Sequence, residues 1–116
     1  MISYYGRYGK KDCPVMNALS LIGGRWKLVI MHLLADRSMR FGELRRAIGE
    51  ITQQMQSKQL KEMERDGLVR RKVFEVVPPH VEYSLTTFGK SGMPIIKSLV
   101  NWGTEKQRSI AKALEK

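Results

Sequence analysis

The segment ITQQMQSKQL, residues 51–60, stands out in the sequence, because it is amide-rich and nearly uncharged in a strongly basic chain. It holds four glutamines, a serine and a threonine around three apolar residues, and Lys58 is its one charge, although the chain carries a net charge of +10. Thr52 can cap a helix here through its hydroxyl. The predicted buried stripe consists of Ile51, Met55, Leu60 and Met63. Gly67 is suited to end the helix in a left-handed conformation.

Three short helices are predicted before this segment. The first begins at Pro14, which fits the opening position of a helix, and ends at Gly23-Gly24. Its apolar face consists of Val15, Ala18, Leu19 and Ile22. The second follows the helical apolar period with Trp26, Val29, Ile30, Leu33 and Leu34. The third is indicated by Phe41, Leu44 and Ile48 and stops at Gly49.

Two strand-like runs and a further helix are predicted after it. Residues 68–77 and 81–85 are the runs, and Pro78-Pro79 lies in the loop between them because proline cannot donate a ladder hydrogen bond. The inward side chains of the second run are Val81, Tyr83 and Leu85. A helix from about Thr87 to Ala113 would be roughly 40 Å long. The predicted order is α-α-α-α-β-β-α, a mainly α fold with a small β-hairpin (α+β).

Length and charge narrow the class of protein. The 116 residues suit one domain, with residues 1–11 as a flexible arm and residues 12–116 as the domain. Twenty-one Lys and Arg against 11 Asp and Glu predict a polyanionic partner, nucleic acid before anionic membrane. No apolar run is long enough to span a bilayer, and a single cysteine agrees with a reducing cytoplasm. We therefore expect a cytoplasmic protein, associated with the nucleoid.

The order of elements predicts a winged helix-turn-helix, with the amide-rich helix in the major groove and the hairpin along the DNA backbone. Gln, Ser and Thr can match the adjacent donors and acceptors of base edges, whereas acidic residues would repel phosphate. The predicted reading face consists of Thr52, Gln53, Gln54, Ser57, Lys58 and Lys61. The predicted wing contacts are Arg70, Arg71, Lys72 and His80. A solvated helix of good helix formers is the plainer alternative for the same face.

The sequence also resembles a known family, the HxlR-type bacterial transcriptional regulators. The resemblance covers roughly residues 12–104 and rests on Cys13-Pro14, IGGRWKLVIMHLL, RFGELRRAI, ERDGLVRR, VPPHVEYSLTTFG and NWG. It implies a homodimer that binds double-stranded operator DNA and controls neighbouring genes, often in response to small reactive compounds. The chain departs from the family pattern at Gln56, where Leu is usual, and at His80, where Lys or Arg is common. The wing tip is therefore expected to contact phosphate weakly at neutral pH.

A helix as long as the predicted last one cannot be covered by a domain of this size, so its apolar side is expected to pack on a second copy. The predicted two-fold interface consists of Val15 and Leu19 of the first helix with Ile95, Leu99 and Trp102 of the last. The alternative is that these side chains complete the core of the monomer.

Cys13 is a possible sensor of reactive compounds. It precedes Pro14 at the start of a helix, where the helix dipole favours a thiolate, and Lys10 and Lys11 lie just before it. Some members of the family it resembles use a cysteine near this position as a sensor of oxidants or electrophiles. One thiol per chain allows an adduct on each subunit or a disulfide between subunits. The alternative is a small structural residue.

Other functions have weaker support in the sequence. His32 and His80 have no carboxylate or cysteine at a catalytic or metal-ligand spacing, so neither an enzyme nor a metal or cofactor site is predicted. A winged helix that binds RNA or another protein without operator specificity is the main alternative. Membrane-surface binding by the basic C-terminal segment ranks last.

Overall fold

The computed structural model describes residues 13–115, so the arm predicted for residues 1–11 lies outside the described residues. The elements are α1 (Pro14–Ile22), α2 (Lys27–Leu33), β1 (Met39–Arg40), α3 (Phe41–Ile48), α4 (Gln53–Arg65), β2 (Val69–Phe74), β3 (His80–Leu85), α5 (Thr87–Lys90), α6 (Met93–Glu105) and α7 (Gln107–Leu114). Within residues 13–115, no helix has both the length and the apolar character needed to cross a membrane.

The first four helices form as predicted, and local sequence explains where they begin and end. Pro14 opens α1, and Thr52 caps α4 by accepting a hydrogen bond from the Met55 amide over 3.1 Å. Gly67 has φ of 79°, and its amide and that of Leu68 donate to carbonyls of the last turn of α4. Both bonds are those of a Schellman motif, so the predicted glycine terminator is confirmed.

The buried stripe of α4 differs from the prediction at one position. Met55 is 36% exposed, whereas Gln56 is fully buried at 0%. Gln56, Leu60 and Met63 are spaced i, i+4 and i+7, so they share one helical face, and Met55 lies to its side. The prediction chose Met55 because it is apolar, but the helical geometry gives the core position to the amide.

Helix α2 turns its predicted face inward except at Val29, since Ile30 and Leu34 lie in the core. Val29 is 39% exposed, while Lys27 and Met31 are buried. The core cluster draws on α2 through Ile30, Met31 and Leu34. Residues 28–31 are all apolar, so the sequence does not show which of them point into the core.

The hairpin is part of a three-stranded antiparallel sheet in the order β1-β3-β2. The prediction of two strands was incomplete, because β1 has only two residues and pairs Met39 with Tyr83 and Arg40 with Glu82. So short a strand has no alternation to detect in the sequence. The side of the sheet that carries Met39, Val69 and Leu85 covers the helical core. Val81 and Tyr83 are half-buried on this side, as predicted for inward residues.

The predicted helix from Thr87 to Ala113 is wrong as one element, because the chain forms α5, α6 and α7 instead. Pro94 lies in the first turn of α6 and cannot donate a backbone hydrogen bond, so it interrupts the helix after α5. Lys106 separates α6 from α7 with φ of −108° and ψ of 27°. The roughly 40 Å helix that motivated the predicted interface therefore does not exist as a straight rod.

Candidate nucleic-acid interface

The predicted reading residues meet on one surface of α4. Gln53, Gln54, Ser57, Lys58 and Lys61 line a single shallow depression, together with Glu62. Thr52 is exposed at the start of the same helix, where its hydroxyl is engaged as the cap. The depression presents amide, hydroxyl and ammonium groups, which are the side-chain groups that recognise base edges and phosphates.

Gln56 faces the opposite way and cannot contact a base. Its Nε2 donates to the Phe41 carbonyl oxygen over 2.9 Å, so the side chain joins α4 to the start of α3. Its Oε1 is buried and has no hydrogen-bond partner in the described part of the chain. The departure from the family pattern at this position is therefore a feature of the helix-turn-helix core.

The three predicted wing cations do not share one face of the sheet. Arg70, Arg71 and Lys72 are exposed on β2 and are paired in register with Ser84, Tyr83 and Glu82 of β3. Side chains alternate along a strand, so Arg71 points to the side opposite to Arg70 and Lys72. Arg71 borders a depression with Ser57, Lys61 and Glu64 of α4. It thereby extends the reading surface, whereas the other two lie on the outer side.

A cluster of contacts organises the outer side of the wing. Lys72 Nζ lies 4.8 Å from the centre of the Phe74 ring, and this ring stacks on His80 with centroids 4.7 Å apart. His80 Nε2 is 3.0 Å from Glu82 Oε2, and Ser38 Oγ donates to Glu82 Oε1 over 2.8 Å. The hydrogen bond from Ser38, supported by the one to His80, lowers the pKa of Glu82. His80 is thus held within the wing by Glu82.

A partly buried ion pair lies beside the reading surface. Lys27 Nζ is 2.7 Å from Glu62 Oε1, with side-chain exposures of 9% and 26%. The hydrogen bond from Lys27 is the main reason that the pKa of Glu62 lies below its usual value. The sequence analysis did not identify this pair. A lysine three residues before Ile30, on the inner side of α2, was the available signal.

The predicted interface residues form exposed apolar surface on two helices. Val15 and Leu19 lie one turn apart on α1 and are 56% and 53% exposed. On α6, Ile95, Leu99 and Trp102 are 46%, 43% and 59% exposed. Their spacing of i, i+4 and i+7 places the three on one face. Ile95 also borders an apolar groove with Ala18, Leu21 and Ile22 of α1, so the two sets adjoin. The alternative that these side chains complete the monomer core does not fit their exposure.

Cys13 is the N-cap of α1. Its Sγ accepts a hydrogen bond from the Met16 amide over 3.4 Å, and the residue is 1% exposed. The position agrees with the predicted start of the helix. Lys10 and Lys11, which supported the sensor hypothesis, lie outside the described residues. Within residues 13–115, no group of three or more His, Cys, Asp or Glu side chains could hold a metal ion.

Comparison with known proteins places these features in context. The family model described as HxlR-like helix-turn-helix matches residues 21–110. An uncharacterized HTH-type transcriptional regulator of Halalkalibacterium halodurans is 50% identical over 111 residues, covering 94% of this chain and 98% of its own. The redox regulator HypR in its oxidized form is 46% identical with a TM-score of 0.78, covering 80% of this chain and 96% of that one. Its reduced form is 42% identical with a TM-score of 0.80, covering 85% and 98%.

Proposed function

We propose that the chain, which belongs to the HxlR-like helix-turn-helix family of DNA-binding transcriptional regulators, acts as a homodimer on a near-palindromic operator. Like its relatives, it is a transcriptional regulator and not an enzyme. The observation that carries the proposal is the reading surface of α4, where five polar or cationic side chains face outward together. With chromosomal DNA as its target, we propose that the protein acts in the cytoplasm, at the nucleoid.

In this proposal α4 enters the major groove and the wing follows the backbone. Gln54 and Lys58 read base edges, since a glutamine can pair bidentately with adenine and a lysine favours the acceptors of guanine. Gln53, Ser57 and Lys61 contact neighbouring bases and phosphates. Thr52, which is exposed at the start of the helix, contacts the DNA there. Arg70, Arg71 and Lys72 contact phosphates. His80, held by Glu82, contributes less at neutral pH.

The exposed apolar face of α1 and α6 supports the proposed dimer. The five side chains are between 43% and 59% exposed on adjoining helices, and a contiguous exposed apolar patch of this kind marks an interaction site. We propose that Val15, Leu19, Ile95, Leu99 and Trp102 pack on the same residues of a second copy. A two-fold axis would then place the two copies of α4 in half-sites about one helical turn apart.

Binding selection on genomic fragments, followed by footprinting, tests the proposal. A symmetric footprint with two half-sites is expected, and single-stranded RNA of the same sequence should bind far more weakly. Gln54→Ala and Lys58→Ala should change which base is preferred, each by about 1–3 kcal/mol. Gln59→Ala on the half-buried side of α4 is the matched control and should leave the preference unchanged. Equal loss on specific and random duplexes for both reading variants would contradict the assignment of these readers.

We also propose that Cys13 makes the regulator responsive to oxidants or electrophiles. The similarity to HypR, a redox regulator known in oxidized and reduced forms, supports this proposal. Cys13 caps the helix that carries Val15 and Leu19, so a covalent change at the sulfur displaces the Met16 hydrogen bond and disturbs the start of α1. Because α1 belongs to the proposed interface, the spacing of the two reading helices would change with it.

A further inference from the structure

Lys27 is an unusual residue for the inner side of a helix. It is 7% exposed at the first position of α2, and a buried ammonium requires a partner to offset its lost hydration. Its partner is Glu62 of α4, at 2.7 Å. Lys27 also lowers the pKa of Asp66, although the hydrogen bond from Arg65 is the main cause of that shift. The ammonium therefore lies near two carboxylates, that of Glu62 in α4 and that of Asp66 at its C-cap, and its ion pair is with Glu62.

Glu62 lies at the edge of the reading surface and has other cations within reach. It lines the same depression as Lys58 and Lys61. Lys58 precedes it by four residues and Arg65 follows it by three, and both spacings bring side chains together on a helix. The charges of these two cations lower the pKa of Glu62 further, after the contribution of Lys27.

The structure resolves this competition in favour of Lys27. Arg65 Nε is 3.1 Å from Asp66 Oδ1, so the arginine is engaged elsewhere. Among residues 13–115, no ion pair joins Glu62 to Lys58. The carboxylate lies on the α2 side of the helix, and Lys58 stays exposed on the proposed reading surface.

We propose that Lys27 is a positioning residue for base reading: by holding Glu62 against α2, it keeps Lys58 free to contact DNA. Lys27 itself touches no DNA in this scheme. Without its ammonium, the Glu62 carboxylate turns outward, pairs with Lys58 across one helical turn and adds a negative charge to the reading surface. Lys58 is then partly withdrawn from its base, and nearby phosphates are repelled. The inference rests on the proposed function, in which Lys58 is a reader.

A matched pair of variants at one position tests the inference. Glu62→Asp keeps the charge but is one methylene shorter, so it no longer reaches Lys27 and leaves a free carboxylate beside Lys58. Glu62→Gln removes the charge and can still accept a hydrogen bond from Lys27. The measurement is the ratio of affinities for the selected duplex and for one altered at the base pair that Lys58 reads. E62D should lower this ratio by about threefold or more, and E62Q should keep it.

Two further variants separate the possible outcomes. K27M should behave as E62D, and the double variant K27M/E62Q should regain the ratio of the wild type. In a K58A background E62D should change the ratio no further. If E62D and E62Q weaken binding alike with the ratio unchanged, the ion pair serves stability alone and the inference is overturned. If K58A itself leaves the ratio unchanged, the assignment of Lys58 in the proposed function is wrong, and the inference falls with it.

Discussion

Gln56 and Phe41 join the two helices of the helix-turn-helix through a side-chain hydrogen bond of 2.9 Å, although the glutamine is fully buried. The bond satisfies only half of the amide, because Oε1 has no partner among the described residues. A buried acceptor without a hydrogen bond is unfavourable by about 1–3 kcal/mol, which exceeds the roughly 1 kcal/mol that one hydrogen bond contributes. Gln56 is therefore expected to be a net destabilising residue in this core.

Gln56→Leu should raise the free energy of unfolding by about 1 kcal/mol, since it removes the unsatisfied oxygen and fills a similar volume. Gln56→Ala is the control and should lower it by about 2 kcal/mol, because it leaves a cavity beside Leu60 and Met63. Urea unfolding measures both. The affinity of Q56L for the operator should equal that of the wild type, because the side chain faces inward. A less stable Q56L would mean that Oε1 is satisfied in solution.

The wing cations give the second prediction. Arg70→Ala, Arg71→Ala and Lys72→Ala should each weaken binding to operator and random duplex by the same factor, because phosphate contacts carry no sequence information. The slope of log affinity against log salt concentration should become shallower by roughly 0.9 for each phosphate that the variant no longer neutralises. Lys112→Ala, on the exposed last helix, is the control for removal of one positive charge and should leave the slope unchanged. A wing variant with the slope of the wild type would exclude that residue from the backbone contacts.

Arg71 offers a sharper comparison within this set. It borders the same depression as Ser57 and Lys61, whereas Arg70 points to the other side of the sheet. A duplex truncated so that it ends at the bases contacted by α4 should therefore retain the effect of R71A and lose that of R70A. Equal effects of both variants on the truncated duplex would argue against the division of the wing cations by face.

Glu82 gives a prediction about pH. Ser38 and His80 lower the pKa of its carboxyl in the folded state below the ordinary 4.5, so the folded protein binds this proton less tightly than the unfolded chain. The contribution to stability is therefore fully present above pH 4.5 and is lost as the pH falls through the lower folded value. Glu82→Gln should flatten the decline of stability in this acidic range. Glu75→Gln, an exposed carboxylate of the same wing, is the control and should keep the decline of the wild type.

Periodicity predicted most of the fold, and the misses have local causes. The ends of α1, α3 and α4 follow from Pro14, Gly49 and Gly67, whose backbone preferences are strong enough to act without tertiary context. Strand β1 forms because β3 supplies its hydrogen-bonding partner. The break between α6 and α7 falls at Lys106, which is neither a proline nor a glycine, so no residue there predicts it. Both depend on contacts that one-dimensional patterns do not contain.

Some parts of the candidate site could be predicted from the sequence and others could not. The shared surface of the polar residues of α4 could be predicted from helical spacing alone, and their role in reading DNA stays a prediction. The separation of Arg71 from Arg70 requires the strand register, which sequence alone does not fix. Lys27 and Glu62 lie on helices whose relative orientation decides their 2.7 Å contact, so no spacing within either helix predicts it.

The proposed interface gives the fourth prediction. Leu99→Asp places a charge in the exposed apolar face of α6 and should convert the proposed dimer to a folded monomer, because burying an unpaired carboxylate is strongly unfavourable. Asn101→Asp, exposed on another side of the same helix, is the control and should remain dimeric. Sedimentation at micromolar concentration distinguishes the two states. If the wild-type protein sediments as a monomer, the proposed dimer is wrong, and the palindromic operator inferred from it is wrong as well.

Cys13 gives the last prediction. Diamide or a quinone should lower the operator affinity of the wild type at least tenfold, and a Cys13→Ser variant should not respond. Serine is the appropriate replacement, since its hydroxyl can accept the Met16 hydrogen bond that the sulfur now accepts and so preserves the start of α1. Because Cys13 is 1% exposed, the reaction requires the start of α1 to open, and it should slow when operator DNA stabilises the proposed dimer. Mass analysis of the treated protein separates an adduct on each chain from a disulfide that links the only cysteines of two chains. A wild type that reacts fully and keeps its affinity would show that Cys13 is a structural cap, as would an equal response of C13S.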